Sequence, residues 1–254
     1  MDLKNWRVSK GLAYLGELSV LAKDAGVALL TKRWEWGLVL YQTDLLGVQS
    51  FSIVLITAVF IGMVLALQTS YALQAFGAKL YVGEVVALSM TRELAPVLIS
   101  LMVGGRVGAG ITAEIGAMNV TEQIDALRAL GANPIRKLVV PRLVAVMVTL
   151  PMLVMLADAL GIFGGYLIST FELQISGRFY FNHVFRLLKV SDVMSGLGKT
   201  FVFGAFITLI ACHNGMKARG GADGVGQATT QTVVLSSIVV LISDFFLTKL
   251  FMAF

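Results

Sequence analysis

Four charged residues lie inside long apolar stretches of this sequence: Arg92, Glu93, Lys199 and Asp244. An ionised side chain at the centre of a bilayer costs at least about 2.5 kcal/mol, so each of them needs a partner or a task. Arg92 and Glu93 are adjacent and point in different directions from a helix, so they do not simply neutralise each other. We predict instead that Glu93 pairs with Lys199. Such a pair either fixes helix packing or lines and gates a polar part of a membrane pathway, and the two roles are compatible.

Motifs for catalysis, metal binding and nucleotide binding are absent from the sequence. The two histidines, His183 and His213, have no cysteine or acidic cluster at ligand spacing, and the single cysteine, Cys212, allows no internal disulfide. The segment SGLGKT, which ends at Thr200, imitates a phosphate-binding loop, but Val193 replaces the required first glycine and no strand is predicted before it. We therefore expect a chain that is not an enzyme and binds no metal or cofactor. Any energy input must come from a partner.

The apolar stretches define the fold class. Hydrophobic residues make up 57% of the 254 residues and charged residues only 14%, and about 20 apolar helical residues cross a hydrocarbon core of about 30 Å. The net charge of +5 is attributed to basic residues that flank membrane segments, not to a nucleic-acid surface. We predict an all-α integral membrane protein, a single compact bundle with five transmembrane helices at about Val48 to Leu73, Val82 to Ala109, Leu143 to Ser169, Val193 to Met216 and Thr229 to Phe251.

The N-terminal region, residues 1–44, differs in its pattern from the five-span remainder, residues 45–254. Residues 11–32 carry apolar side chains at helical spacing between charged ones, which predicts an amphipathic helix in the membrane interface. Packing of this helix on the flank of the bundle is the alternative. The apolar positions are Leu15, Leu18, Ala22, Ala25 and Leu29, and the aromatic anchors that follow are Trp34, Trp36 and Tyr41.

The distribution of basic residues predicts the orientation of the chain in the membrane, and the spacing of glycines predicts where helices pack closely. Lysine and arginine are concentrated in the N-terminal region and after spans two and four, which predicts a cytoplasmic N-terminus and, after five spans, a C-terminus on the opposite side. GGRVG and GIFGG place Gly104 and Gly108, and Gly161 and Gly165, at small-xxx-small spacing. This spacing favours close helix crossings over ligand binding.

A short helix is predicted in the cytoplasmic loop between spans two and three, over residues 119–130. Asn119 is a candidate N-cap with Glu122 at capping-box spacing, and Gly131 and Pro134 end the helix. An apolar stripe of Val120, Ile124 and Leu127, with Leu130 beside it, must pack on something because a helix this short is unstable alone. It rests either on the bundle itself or on a cytoplasmic partner.

Three segments together resemble the MlaE permease family of bacterial phospholipid transport systems. They are AVFIGMVLALQ in span one, SMTRELAPVLISLMVGGRVGAGITAEIGAM in span two, and TEQIDALRALGANPIRKLVVPR in the loop that follows. The resemblance covers about residues 45–254. It implies an inner-membrane homodimer that moves phospholipid and maintains outer-membrane lipid asymmetry. It also implies an ATP-hydrolysing ABC ATPase, a periplasmic hexameric MCE-domain lipid carrier and a STAS-domain protein as partners. By the same resemblance, the short helix at residues 119–130 is the coupling helix of the family. It would contact the ATPase through Glu122, Ile124, Leu127 and Arg128.

Span one offers the best lining for a lipid pathway. Its residues Phe60, Met63, Val64, Leu67 and Tyr71 repeat at helical spacing and are predicted to face a cavity shared by two copies. An ordinary lipid-facing stripe is the alternative interpretation. Two rival functions stay open: an ion- or proton-coupled transporter with Glu93 and Asp244 as a relay, and a membrane scaffold for cytoplasmic partners.

Overall fold

The structure is a computed structural model that describes the backbone of residues 3–31 and 36–253 and the side chains of residues 11–30 and 36–253. The predicted anchor Trp34 lies outside these residues. The described residues form eleven α-helices and no strand, as predicted for an all-α protein. The helices are α1 (Leu3–Thr31), α2 (Trp36–Leu46), α3 (Phe51–Gln74), α4 (Val82–Ser89), α5 (Ala95–Val103), α6 (Ala109–Val120), α7 (Gln123–Ala129), α8 (Val140–Phe171), α9 (Gly177–Leu187), α10 (Val190–Lys217) and α11 (Gly221–Ala253).

Five stretches of helix are long and apolar enough to cross a membrane, which matches the predicted number. They are longer than predicted, because helix continues beyond the predicted ends and α2 precedes α3 in the first stretch. Gly220 and Gly221, with φ of 92° and 71°, make the turn at the start of α11. The fifth stretch therefore begins before the predicted Thr229. The stretches are Trp36–Gln74, Lys79–Val120, Ile135–Phe171, Val190–Lys217 and Gly221–Ala253.

Wider π-helical turns interrupt the helices at Met90–Leu94, Gly104–Gly108 and Ile135–Val139. The first ends two residues before Pro96 and the third two residues before Pro141. Proline has no backbone N–H, so it removes the hydrogen bond that the carbonyl four residues earlier would accept. The first and third π turns are the local response to this missing donor, whereas no proline lies two residues after Gly104–Gly108.

The chain divides into two compact units, where the sequence predicted a single bundle. Unit 1 comprises Met1–Thr43, Gly104–Val146 and Ala205–Val239, and unit 2 comprises Asp44–Val103, Met147–Gly204 and Val240–Phe254. The N-terminal region is thus part of a unit with later segments, whereas the sequence set residues 1–44 apart. Contacts made by α1 explain the difference.

In unit 1, α1 packs against the chain that leads into α8. Ala28 and Leu29 of α1 cover a buried cluster of Val39, Val140 and Val144, and Ala25 is buried as well. At the other end of the predicted stripe Leu15 is exposed. The C-terminal half of α1 therefore packs on the protein's flank, the alternative that the sequence left open. Gly104 and Gly108 both approach Ile207, as their spacing predicted.

In unit 2, glycines bring α3 and α8 into backbone contact. A Cβ on Gly62 would lie 1.9 Å from the carbonyl oxygen of Gly161, and one on Gly164 would lie 2.3 Å from that of Val59. Tyr180 of α9 is buried and donates a hydrogen bond to the carbonyl of Ile162 at 3.0 Å. Burial raises the pKa of the Tyr180 phenol, which keeps it a donor.

This crossing predicts the effect of adding one methyl group. Gly62→Ala should destabilise the protein by about 1–3 kcal/mol, because the new Cβ forces α3 away from α8. Gly110→Ala is the matched control, since nothing lies within 4 Å of a Cβ there. Thermal unfolding in lipid nanodiscs measures both variants. Equal unfolding temperatures for the two would contradict the assigned crossing.

Candidate functional site

The side chain of Lys199, in α10, is the centre of a polar cluster in unit 2. It is 2% exposed. Its ammonium donates hydrogen bonds to Glu93 Oε2 at 2.7 Å, to Thr248 Oγ1 at 2.7 Å and to the backbone carbonyl of Arg92 at 3.0 Å. Asp244 Oδ1 lies 3.0 Å from the same nitrogen and forms an ion pair. The three N–H bonds of the ammonium are thus used, and the predicted Glu93–Lys199 pair forms.

The sequence around Arg92 explains why its carbonyl is available. In a regular helix this carbonyl would accept a hydrogen bond from the N–H of residue 96, which is Pro96 and has none. The π turn Met90–Leu94 surrounds the position, and Lys199 supplies the missing donor. A Cβ on Gly196 would lie 2.1 Å from the Thr91 carbonyl oxygen, so this glycine lets α10 come close enough. SGLGKT is therefore a helix-packing segment.

Arg92 belongs to the same region through a second ion pair. Its Nε donates to Asp192 Oδ1 at 2.9 Å, while the other carboxylate oxygen of Asp192 accepts the backbone N–H of Lys189 at 2.9 Å. Asp192 is buried near the start of α10, where a carboxylate also interacts favourably with the helix dipole. Arg92 itself is exposed, and Glu93 and Asp244 are only half-buried. The prediction that all four charges are buried is correct for Lys199 alone. Arg92 and Glu93 line a cavity, and Asp244 is half-buried beside Lys199.

The cavity has a volume of about 320 Å³, and the ion pairs Arg92–Asp192 and Glu93–Lys199 both contribute to its wall. Its wall combines charged groups, hydroxyls and two apolar side chains: Arg92, Glu93, Ser191, Asp192, Ser195, Lys199, Thr248, Phe251 and Met252. Two cations and three carboxylates, counting Asp244, meet in this region. Such a wall suits a group that carries both charges beside an apolar chain. Among the described residues no group of three or more His, Cys, Asp or Glu is arranged to hold a metal ion.

The predicted lipid-pathway residues lie on the outward face of α3. Phe60, Val64, Leu67 and Tyr71 are exposed, and Met63 is half-buried. The opposite face carries small buried residues, namely Val54, Ala58, Gly62, Ala66 and Ser70. The stripe is therefore free to contact lipid or a second copy, which is the pair of alternatives that the sequence left open.

The predicted coupling helix is shorter and begins later than residues 119–130. Helix α6 continues to Val120, and α7 spans Gln123–Ala129. The capping box is wrong: the Asn119 amide donates to the Ala218 carbonyl at 3.0 Å, and Glu122 adopts a left-handed φ of 60°. These contacts turn the chain between α6 and α7.

The side chains of α7 divide into a packed face and a free one. Ile124 is fully buried, so it cannot contact a partner as predicted. Leu127 is half-buried, and Glu122 and Arg128 are exposed. Leu130, at the end of the helix, is 83% exposed. Of the predicted apolar stripe, only Ile124 packs fully on the chain itself, whereas Val120 is exposed. The exposed residues around α7 form its outward surface.

Sequence reasoning missed several members of these clusters. Asp192 and Thr248 were not selected, although Asp192 follows the start of an apolar stretch and Thr248 lies four residues after Asp244. Arg142 was counted as a loop cation, but it is buried and pairs with Glu114 at 2.7 Å between Nη2 and Oε1. The signal for Arg142 was its place next to Pro141 in an apolar run.

Comparison with known proteins gives consistent similarities. The family described as Permease MlaE matches residues 39–250. The chain is 43% identical to a probable ABC transporter permease protein of Rickettsia bellii over 93% of this chain and 92% of that protein. It is 39% identical to the intermembrane phospholipid transport system permease protein MlaE of Haemophilus influenzae over 86% of this chain and 84% of that protein. It is 35% identical to protein TRIGALACTOSYLDIACYLGLYCEROL 1, chloroplastic, of Arabidopsis thaliana, over 99% and 72%.

The Lys199 cluster predicts unequal effects for its members. Lys199→Met should destabilise the protein by about 3–5 kcal/mol, because it leaves the carboxylates of Glu93 and Asp244 without their cation. Glu93→Gln should cost less, since Asp244 still compensates Lys199. The double variant should lose less stability than the sum of the two. Lys249→Met, at an exposed lysine beside Thr248, is the control. Additive losses in thermal unfolding would show that Glu93 and Lys199 are not coupled.

Proposed function

This chain belongs to the MlaE permease family, and from that premise we propose that it is the membrane subunit of an ABC transporter that moves phospholipids between the inner membrane and periplasmic lipid carriers. The match over residues 39–250 carries the proposal. The name of the Haemophilus relative supplies the transported class. Maintenance of outer-membrane lipid asymmetry is the role proposed for the whole system.

The chemistry of the described surfaces supports a lipid cargo. A phospholipid joins two apolar chains to a headgroup with a phosphate and, in many lipids, an ammonium group. The exposed stripe of α3 suits the chains. The cavity beside Lys199 offers cations for the phosphate, carboxylates for an ammonium and Phe251 for apolar contact. We propose that the headgroup passes this cavity while the chains lie on apolar helix faces.

Energy is proposed to come from a partner ABC ATPase that binds and hydrolyses ATP. SGLGKT, the segment that imitates a phosphate-binding loop, is helical, and its lysine, Lys199, donates hydrogen bonds to Glu93 and Thr248. The ATPase is proposed to contact the outward surface of α7, which comprises Glu122, Arg128 and Leu130 with the flank of Leu127. Because Ile124 is buried, it supports this surface from below.

Further components follow the same proposal. A second copy would complete the cavity on the α3 stripe, a hexameric MCE-domain protein would receive or deliver lipid in the periplasm, and a STAS-domain protein would accompany the ATPase. The N-terminus and α7 are assigned to the cytoplasm and the C-terminus to the periplasm by the distribution of lysine and arginine.

The deciding experiment is reconstitution with the ATPase and labelled phospholipid in vesicles of controlled sidedness. Lipid should move only when ATP is present. Movement that persists without the ATPase and stops when a protonophore is added would support the ion-coupled transporter. Absence of movement, with the ATPase still bound, would support the scaffold.

The ATPase contact predicts a specific loss on substitution of Leu130. Leu130→Asp should weaken ATPase binding about tenfold, because an exposed apolar anchor is replaced by a charge. Copurification from nanodiscs and ATP-dependent lipid movement measure the effect. Leu187→Asp, at an exposed leucine that ends α9, is the control and should bind the ATPase normally. Unchanged copurification of Leu130→Asp would remove α7 from the interface.

The lipid route predicts position-dependent crosslinking along α3. A photocrosslinker at position 64 or 71, where the side chains are exposed, should capture phospholipid in a saturable manner. One at position 241 lies on an exposed face of α11 and should label bulk lipid only. Addition of ATP and the ATPase should change the yield at 64 and 71 but not at 241. Equal, non-saturable labelling at all three positions would mean that α3 faces the bilayer.

A further inference from the structure

A chain of polar side chains joins α1 to three membrane-spanning helices in unit 1. Tyr14 of α1 donates its hydroxyl proton to Asn214 Oδ1 at 3.1 Å. The amide of Asn214 donates in turn to Thr232 Oγ1 at 2.9 Å, and Thr112 Oγ1 lies 2.9 Å from the same oxygen. The chain of contacts therefore runs from α1 through α10 and α11 to α6.

Burial makes this chain sensitive to the loss of any member. Thr112 and Thr232 are fully buried and Asn214 is almost so. A buried amide oxygen that loses its donor keeps the full desolvation penalty, whereas a satisfied one does not. Tyr14 is the only described side chain that donates to Asn214 Oδ1. The Asn214 carbonyl therefore depends on the position of α1.

A second contact, one helical turn along α1, fixes the same register. Glu17 forms an ion pair with Lys217 and lies 3.4 Å from Nε2 of His213, while the Tyr14 ring meets the His213 ring edge-on with centroids 4.9 Å apart. The hydrogen bond from Lys217 lowers the pKa of Glu17, and burial raises the pKa of Tyr14. Glu17 is thus held as an anion and Tyr14 as a donor.

The connected helices flank α7 on both sides in sequence. Thr112 is in α6, which runs directly to the turn before α7. After α7, the π turn Ile135–Val139 packs against α1. A cavity of about 1130 Å³ lies between α1 and α7. Its wall includes Gly16 and Val20 of α1 and Asp125 and Arg128 of α7. Helix α7 packs directly against α6, so the placement of α6 bears on the placement of α7.

We propose that Tyr14 is a positioning residue for ATP-driven transport: through Asn214, Thr232 and Thr112 it holds α1 and α6 in one arrangement and so fixes α7 against the ATPase. The inference rests on the proposed function for its readout of transport. It adds a role for the N-terminal helix that the family match, which begins at residue 39, does not include.

The test uses the complete complex with its ATPase in nanodiscs and vesicles. Tyr14→Phe keeps the aromatic contact with His213 and removes only the hydroxyl. Lipid moved per ATP hydrolysed should fall roughly two- to tenfold, the range expected for one lost hydrogen bond, while the ATPase stays bound. Thr232→Val should give the same loss and Thr232→Ser should restore the native ratio. Tyr41→Phe, at an exposed tyrosine of α2, is the control.

A distance measurement separates positioning from transport. Cysteines for spin labelling are introduced at Leu15 of α1 and Ala129 of α7, which are both exposed. The native Cys212 is buried. Pulsed electron resonance should give a narrow distance distribution in the native chain and a broad one in Tyr14→Phe. A narrow distribution and a native transport ratio in Tyr14→Phe overturn the inference, even if its unfolding temperature is lower. If the native complex moves no lipid with ATP, the proposed function fails, and the spin-label distances alone decide the inference.

Discussion

The ammonium of Lys199 is the constraint on which unit 2 depends. A lysine that is 2% exposed in a membrane-spanning helix must have all its N–H bonds accepted, since the alternative is an uncompensated charge. The acceptors come from α11, from the Glu93 side chain and from a backbone carbonyl that Pro96 leaves without a donor. Lys199 thus donates to the carbonyl that Pro96 leaves without a hydrogen bond. Each by itself would destabilise the region, and together they satisfy each other.

Glycine makes this arrangement possible, because hydrogen bonds of this length require close backbones. Gly196 lets α10 approach the Thr91 carbonyl, and Gly62 and Gly164 do the same where α3 crosses α8. Association between helices in lipid relies on such packing and on polar contacts, because apolar side chains gain little by leaving apolar lipid. The small residues of the sequence therefore specify where helices touch, and the charged ones specify in which register they do so.

The sequence predicted the features that have a one-dimensional signal. Five apolar stretches gave five candidate spans, and the isolated charges Glu93 and Lys199 identified each other because few partners were available. Contacts between residues that lie far apart in the sequence were not predicted. The Asn119 amide donates a hydrogen bond to the Ala218 carbonyl, which lies almost a hundred residues away. No local capping rule can predict such a contact. Burial of Ile124 likewise depends on what α7 packs against, since a stripe looks the same whether it meets the chain or a partner. The donor missing at Pro96 was visible in the sequence four residues after Arg92, and reading it would have placed a cation there.

The two polar networks differ in what their loss would do. The Lys199 network contains formal charges that exceed what one ammonium can bond, since Asp244 Oδ1 has an ion pair but no hydrogen bond. Glu93 and Asp244 therefore share one ammonium, and at such a site a charged headgroup can compete with either carboxylate for its partner. The Tyr14 network is built from neutral groups that are joined by hydrogen bonds. Carboxylates that share one cation suit the proposed contact with a charged headgroup, whereas a continuous chain of neutral hydrogen bonds suits the proposed positioning of α7. The proposed roles of the two networks, one for the lipid and one for coupling, therefore rest on the chemistry of their side chains more than on their number.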